Sequence, residues 1–468
     1  MFFKQYYPNC LAQASYLIGD EESKQALVVD PRRDVDIYLE AAKRQGLSIT
    51  HAVLTHFHAD FIAGHIELRD RVGATIALGA RGEAQYDLLA LADHDWIVLG
   101  PQVEIESLSP PGHTPEGISL LVHDRSAGDV PTSVLTGDSL FIGDVGRPDL
   151  MASVGVTADE LASELYDSLQ QQFMPLADET LVYPGHGAGS LCGRALSSET
   201  VSTMGVQCQY NYALQPMSKE DVIVLVTVDQ PDAPEYFAYD ADINRRERGT
   251  LDEVLASSLR PLSVDQVLAA AGEDANGAQI LDVREAGPFA ATHLSGAINV
   301  GLDGQYASWA GTVLTPDRPI VIVAEPGSEN EAAVRLGRIG FDAWAGYLDG
   351  GMAALADSEQ LVAHFDRLAP ETLRDRLAQP DADVGPDAGA PLLLDVRAPA
   401  ELEEGAIDGS THIPLSELRH RLAELPRDPA ITVYCAGGYR SAIAASLLQR
   451  EGFERVSDLA GGYAGWTI

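Results

Sequence analysis

The stretch Thr55-His56-Phe57-His58-Ala59-Asp60-Phe61-Ile62-Ala63-Gly64-His65 decides how the first half of this chain is read. It follows directly on an apolar run, Ala52-Val53-Leu54, and packs His56, His58 and Asp60 into five residues. A strand that runs into such a cluster hands its side chains to a loop at the strand end, where α/β folds collect their reactive groups. Imidazole and carboxylate are the donors that borderline divalent metals prefer. The residue after Asp60 is Phe61, which offers a metal nothing.

Working outward, further turns present the same residue types. His113 lies in Pro111-Gly112-His113-Thr114. Asp138 ends Ser133-Val134-Leu135-Thr136-Gly137-Asp138, and His186 ends Leu181-Val182-Tyr183-Pro184-Gly185-His186. One histidine after a strand is ordinarily structural; the same placement at several turns points to a metal cradle. A further strand pattern covers Ala26-Leu27-Val28-Val29-Asp30, and helical patterns cover 35–45 and 158–171. These make a mixed α/β domain ending near residue 245. The segment 229–248, rich in acidic residues, Pro and Arg, is expected to wrap the surface. His51, His94 and His123 fall outside the pattern and are read as ordinary; His65 is assigned to support or packing.

At 468 residues the chain is expected to hold three domains. Its hydrophobic content, 46%, is that of a soluble globular protein. No apolar run approaches the roughly 20 residues that span a bilayer. The opening Met1-Phe2-Phe3-Lys4-Gln5-Tyr6-Tyr7-Pro8 has no charged segment leading into an apolar one, so secretion is not expected. Cys10, Cys192, Cys208 and Cys435 are too few for a disulfide framework and read as cytoplasmic thiols. The formal net charge is -39, and Lys4, Lys24, Lys43 and Lys219 are the only lysines. So acidic a surface repels nucleic acid and anionic lipid, which excludes both as partners. It suits solubility, and we take it as adaptation to a salty cytoplasm.

The second half repeats itself. Ile280-Leu281-Asp282-Val283-Arg284 is echoed by Leu393-Leu394-Asp395-Val396-Arg397, and Leu348-Asp349-Gly350-Gly351 by Leu459-Ala460-Gly461-Gly462. The copies are roughly one hundred residues apart, so each is a whole domain rather than a solenoid repeat. Short apolar strands alternate with helical patterns such as 442–450, which implies parallel α/β sheets. The expected boundaries are 1–245, 246–360 and 361–468.

The first-half motifs resemble the metallo-β-lactamase fold, an αββα sandwich whose members carry H-x-H-x-D-H, a later His, a bridging Asp and a last His. Asp60-Phe61 departs from the usual Asp-His and removes one ligand of a second metal position. A mononuclear site fits better than a binuclear one, and two histidines with one carboxylate suit non-haem Fe(II) with open positions. Gly137-Asp138-Ser139-Leu140 and Gly146-Arg147-Pro148-Asp149 resemble the persulfide dioxygenases of the ethylmalonic encephalopathy protein type. That resemblance implies His56, His113 and Asp138 as ligands of one Fe(II) per chain, with zinc an alternative occupant on purification. It leaves His58, Asp60 and His186 to orient ligands or substrate. Arg147 is read as a supporting or substrate-facing residue, against a plain surface charge. Cys192 is read either as facing the site or as an inert buried thiol.

Near the end, Tyr434-Cys435-Ala436-Gly437-Gly438-Tyr439-Arg440-Ser441 follows a strand and opens a helix. A glycine-rich loop can turn its N–H groups toward one atom, and the following helix adds the positive end of its dipole. With Arg440 these favour a thiolate or persulfide anion on Cys435. This loop, with Gly461-Gly462-Tyr463-Ala464-Gly465-Trp466, resembles the rhodanese family over residues 375–468. The rival Cys-Arg phosphatase loop is one residue longer. The first copy reads Ala324-Glu325-Pro326-Gly327-Ser328-Glu329-Asn330-Glu331, with neither cysteine nor arginine, and is expected to be inactive.

The whole resembles a persulfide dioxygenase–rhodanese fusion. The resemblance implies oxidation of a low-molecular-weight thiol persulfide by O₂ to sulfite. Transfer of sulfane sulfur from a Cys435 persulfide to sulfite then gives thiosulfate, in the service of sulfide detoxification. Joining both activities raises the local concentration of sulfite. Homo-oligomerisation is the general expectation. A binuclear zinc thiolester hydrolase of the glyoxalase II type is one rival, impaired by Phe61; a non-enzymatic sulfur carrier with a vestigial metal domain is the other.

Overall fold

The computed structural model describes residues 1–468 except 9–10, 151–154, 195, 229, 231–232, 273–276 and 379–390. Two compact units appear, Met1–Glu253 with Gly337–Gly340, and Val254–Leu336 with Phe341–Ile468.

The first unit holds a pair of 6-stranded sheets. One runs in chain order from Phe2–Tyr6 to Leu89–Leu91, the other from Ser202–Thr203 back to Trp96–Val98. Side chains alternate across a strand, so each sheet offers an apolar set to both faces. Leu27 and Val29 join Tyr16, Val53, Ile105, Leu120 and Leu135 in the core between the sheets. Ala26 and Val28 point the other way, under the helix Asp36–Gln45 with its Tyr38 and Ala41. On the opposite side Leu121, Val134 and Val182 pack beneath Leu165 of the helix Ala158–Ser168. This is the expected αββα sandwich.

Two local readings change. The strand before the histidine cluster is Ser48–Val53, so Leu54 and Thr55 already belong to the loop. The segment after 229 does not merely wrap the surface. It forms a helix, Tyr236–Ile243, and buries Tyr236, Phe237, Asp240 and Asn244. Its polar composition hid a structural role, in which Asn244 donates to the carbonyls of His58 and Phe61 and accepts from the Ala63 N–H.

The second unit contains the duplication. Strands Pro261–Leu262, Trp344–Leu348, Ile320–Val323, Gln279–Asp282 and Ile298–Asn299 form one sheet in that order. Asp366–Leu368, Val456–Leu459, Ile431–Tyr434, Leu392–Asp395 and Thr411–His412 form the other in the same order. Every pairing in both is parallel. The likeness reaches side chains. Arg284 and Arg397 each donate Nη2 to their own Asp282 or Asp395 Oδ2 at 2.7 Å, and then to a backbone carbonyl. Among the described residues no helix is long and apolar enough to cross a membrane.

Candidate metal centre and sulfur-transfer loop

The strand ends of the first unit bring His56, His113 and Asp138 together, all buried, with one donor atom of each within 4.8 Å of the others. Hydrogen bonds fix which atoms face inward. Thr55 Oγ1 gives its only proton to Asp30 Oδ2 at 2.9 Å, so it accepts from His56 Nδ1 at 3.0 Å. His113 Nδ1 donates to the Arg147 carbonyl at 2.8 Å. Both imidazoles therefore turn a bare Nε2 toward Asp138 Oδ2, at 3.8 Å and 3.6 Å. Acceptors facing one another at such distances repel unless a cation lies among them, so the residues fit a metal ion. Burial and the neighbouring His58 hold His56 well below the ordinary histidine range, which keeps its lone pair available. Burial alone would lift the Asp138 carboxyl, but His186 and His56 hold it far below the carboxylate range.

Glycine is required where this centre is tightest. A Cβ on Gly146 would lie 1.9 Å from the Asp138 carbonyl oxygen, and one on Gly185 would lie 2.5 Å from Asp138 Oδ1.

The surrounding residues take distinct places. His186 Nδ1 bonds Asp138 Oδ1 at 2.9 Å, and its Nε2 lies 2.8 Å from Asp60 Oδ2, off the line of a good hydrogen bond. Burial lowers this imidazole, but Asp138 and Asp60 together raise it well above the ordinary value, and it lies between the two carboxylates. His58 stands outside the three: its Nε2 lies 2.9 Å from Asp30 Oδ1 without hydrogen-bond alignment, and its ring packs on Phe61 at 4.3 Å. Arg147 is no surface charge. Buried, it grips Asp149 with Nε and Nη2 at 2.7 Å and reaches the Leu191 carbonyl.

Cys192 is buried, and its sulfur joins Asp60 and His186 in a second group of possible ligands. Burial and then the Asp60 and Asp138 carboxylates push this thiol well up. His65 packs against Tyr86 away from the site, and Cys208 is unpaired and half-buried. Cys10 lies outside the described residues.

Asp30 escaped the sequence reading. It sits at φ +47, a strained conformation for an aspartate, and accepts from both the N–H and the hydroxyl of Thr55. The available signal was a lone carboxylate ending the run 26–30, just before Pro31. Asn244 gave no local signal at all.

In the second unit Cys435 follows Ile431–Tyr434 and precedes the helix Tyr439–Arg450. Gly438, at φ +96, donates its N–H to Cys435 Sγ at 3.0 Å. The loop's outer side is held by Tyr463 and Ala464, whose N–H groups bond the carbonyls of Cys435 and Ala436. Around Gly437 a Cβ would meet nothing within 4 Å, so the loop is open there. Arg440 pairs with both Glu401 oxygens, at 2.6 Å and 2.7 Å. Burial lowers its guanidinium, and attraction to Glu401 and Cys435 more than offsets this. Tyr439 donates its hydroxyl to the Gly301 carbonyl of the first copy at 2.7 Å. Ser441 lies 3.7 Å from the Cys435 sulfur. In the first copy Ala324 occupies the place of Cys435: Gly351 abuts its carbonyl as Gly462 abuts that of Cys435.

Residues 8–186 match the metallo-beta-lactamase superfamily, and 263–358 and 369–468 match the rhodanese-like domain. The mitochondrial persulfide dioxygenase ETHE1 of Mus musculus is 30% identical over 223 residues, 46% of this chain and 77% of that protein. A sulfurtransferase of Allochromatium vinosum is 36% identical over 97 residues, 21% of this chain and 83% of that protein. The crystal structure of a metallo-beta-lactamase from Staphylococcus aureus superposes with a TM-score of 0.64 at 32% identity, covering 74% of this chain and 98% of that one. The chain belongs to the persulfide dioxygenases of the metallo-β-lactamase superfamily and joins to that domain two rhodanese-like domains, making it an enzyme of both kinds.

Proposed function

We propose that this chain oxidises a low-molecular-weight thiol persulfide to sulfite at a single non-haem Fe(II), and makes thiosulfate from sulfite at Cys435. What carries the first half is the meeting of His56 Nε2, His113 Nε2 and Asp138 Oδ2, three buried acceptors with fixed orientation. Iron bound there would supply the means of bringing dioxygen and the substrate sulfur to reaction. The overall change is R–SSH + O₂ + H₂O to R–SH, sulfite and two protons. His56, His113 and Asp138 would hold the metal; Thr55 and the Arg147 carbonyl fix the imidazoles; His186 keeps Asp138 turned inward. Phe61 is fully buried against His58, so a side chain without donor atoms stands where a further ligand would be needed.

In the second half the Cys435 thiolate attacks the outer sulfur of a persulfide. The new S–S bond forms as the old one breaks, and the thiol leaves with the electron pair. Sulfite then attacks the outer sulfur of the Cys435 persulfide, releasing thiosulfate and regenerating the thiolate. Gly438 N–H and Arg440 stabilise the anion at each stage. The divisions 1–245, 246–360 and 361–468 are the functional domains, the middle one inactive. The unpaired Cys192, Cys208 and Cys435 support a reducing, cytoplasmic setting, and self-association remains the default for its assembly.

A second reading has one observation in its favour. Asp60, His186 and Cys192 form a further ligand group, as a binuclear zinc hydrolase would use. His186 is already committed between two carboxylates, which favours the mononuclear reading. The test of the division of labour uses the full chain. His113→Ala abolishes O₂ uptake with persulfide while sulfurtransfer persists, and Cys435→Ser does the reverse. Loss of both activities in either variant contradicts it.

A further inference from the structure

Arg440 does not offer its end-on fork to a substrate anion. Its Nη1 and Nη2 lie 2.6 Å and 2.7 Å from the two oxygens of Glu401, a paired arrangement that would equally suit a sulfonate. Glu401 is itself held in place. Its Oε2 accepts the Ala398 N–H at 2.9 Å, and its carbonyl accepts from Arg397 Nη1 at 3.1 Å. Arg440 keeps 18% of its side-chain surface exposed and Glu401 30%, so the pair meets solvent and is no core salt bridge. The bonds from Arg440 hold the Glu401 carboxyl below the ordinary carboxylate range, which keeps it an anion.

The duplication separates what the fold needs from what the chemistry needs. The Asp395–Arg397 pair behind Glu401 has its counterpart in Asp282–Arg284. Six residues after Asp395 stands Glu401, but six after Asp282 stands Pro288. Five residues after Cys435 stands Arg440, but five after Ala324 stands Glu329. Both copies build their sheets in the same order, so the sheet does not depend on a Glu401–Arg440 pair. The pair accompanies the cysteine.

We propose that Glu401 is a positioning residue for product release: it fills the Arg440 fork and so keeps thiosulfate from being clamped there after transfer. Arg440 serves two opposed needs. Its charge favours the anionic sulfur of Cys435 and the arriving sulfite, yet the product is a dianion that must leave. A guanidinium with a vacant fork would take two sulfonate oxygens in parallel charge-assisted bonds and hold them. With Glu401 in the fork, Arg440 keeps its place and its attraction to the Cys435 sulfur. The carboxylate beside it repels the departing dianion.

The proposal rests on Cys435 passing sulfur to sulfite, but its first test does not use that reaction. The full chain carrying Cys435→Ser transfers no sulfur, and thiosulfate binding to it is measured by titration calorimetry. Adding Glu401→Gln removes the charge from the fork at nearly unchanged shape. Thiosulfate should then bind about tenfold tighter, as one good charge-assisted hydrogen bond provides. Adding Arg440→Gln as well should cancel the gain. Glu401→Ala should tighten binding in the same direction. With Cys435 intact, Glu401→Gln should lower kcat and the KM for sulfite together, as happens when only the last step slows. Unchanged or weaker thiosulfate binding in Glu401→Gln overturns the proposal, as does a gain that survives Arg440→Gln. A fall in kcat with a rise in KM also overturns it, because that is what simple misplacement of Arg440 would give. Should the unaltered chain make no thiosulfate from sulfite while the binding results hold, the carrier role of Cys435 falls instead.

Discussion

Thr55 shows how a residue that binds nothing can govern a metal site. Its hydroxyl stands between Asp30 and His56, and because the proton goes to Asp30 the imidazole must donate from Nδ1. The sequence made His56, His113 and Asp138 legible, since each lies in a turn that follows a strand and carries a metal donor. It could not make Thr55 and Asp30 legible as partners, because their spacing closes only when two strands pair. The same holds for the Arg147 carbonyl on His113, a backbone atom with no residue signature. Thr55→Val keeps the shape and loses the bond to His56. Supporting hydrogen bonds of this kind are worth about 10–100-fold in metal affinity. We expect a loss in that range in competition titrations of the full chain, with sulfurtransfer unchanged; unchanged affinity would show that the tautomer is fixed otherwise.

At the scale of elements, the loop 54–64 leads directly into the helix His65–Val72. Asn244 ties the loop from the far end of the first unit, which no local pattern announces. His65 opens the helix fully buried against Tyr86, and neither ring nitrogen has a hydrogen-bond partner among the described residues. The sequence assigned it to support or packing, and its place as the first residue of the helix, fully buried, makes it packing. Burial and the nearby Arg248 push its imidazole down to about 3. Between that value and the unfolded value near 6.5, the unfolded chain takes a proton that the folded chain refuses. Stability therefore falls as pH drops through this window, by up to about 1.4 kcal/mol per unit from this group. His65→Phe removes that contribution. Denaturant unfolding at several pH values should give the variant the shallower acid decline; parallel declines would contradict it.

Across the whole molecule, order along the chain was legible in the sequence and closure was not. The paired copies could be aligned because Asp282-Val283-Arg284 and Asp395-Val396-Arg397 perform the same hydrogen bonding in each. Contacts that join them, such as Tyr439 on Gly301 and Ser446 on Asn299, leave no trace in either repeat alone. The charge of -39 is likewise a property of the whole. Self-repulsion at that charge weakens when the Debye length shrinks to about 3 Å at 1 M salt. The thermal midpoint should rise from low to multimolar KCl, and a midpoint indifferent to KCl would remove the case for a saline cytoplasm.

The metal is the part of the molecule most directly open to measurement. Purify the full chain without oxygen, load it with ferrous iron, count the metal bound, and follow dioxygen consumption on adding a thiol persulfide. We predict one iron per chain and one dioxygen consumed for each persulfide turned to sulfite. A pair of metals per chain bridged through Asp138, with no dioxygen uptake, would contradict it.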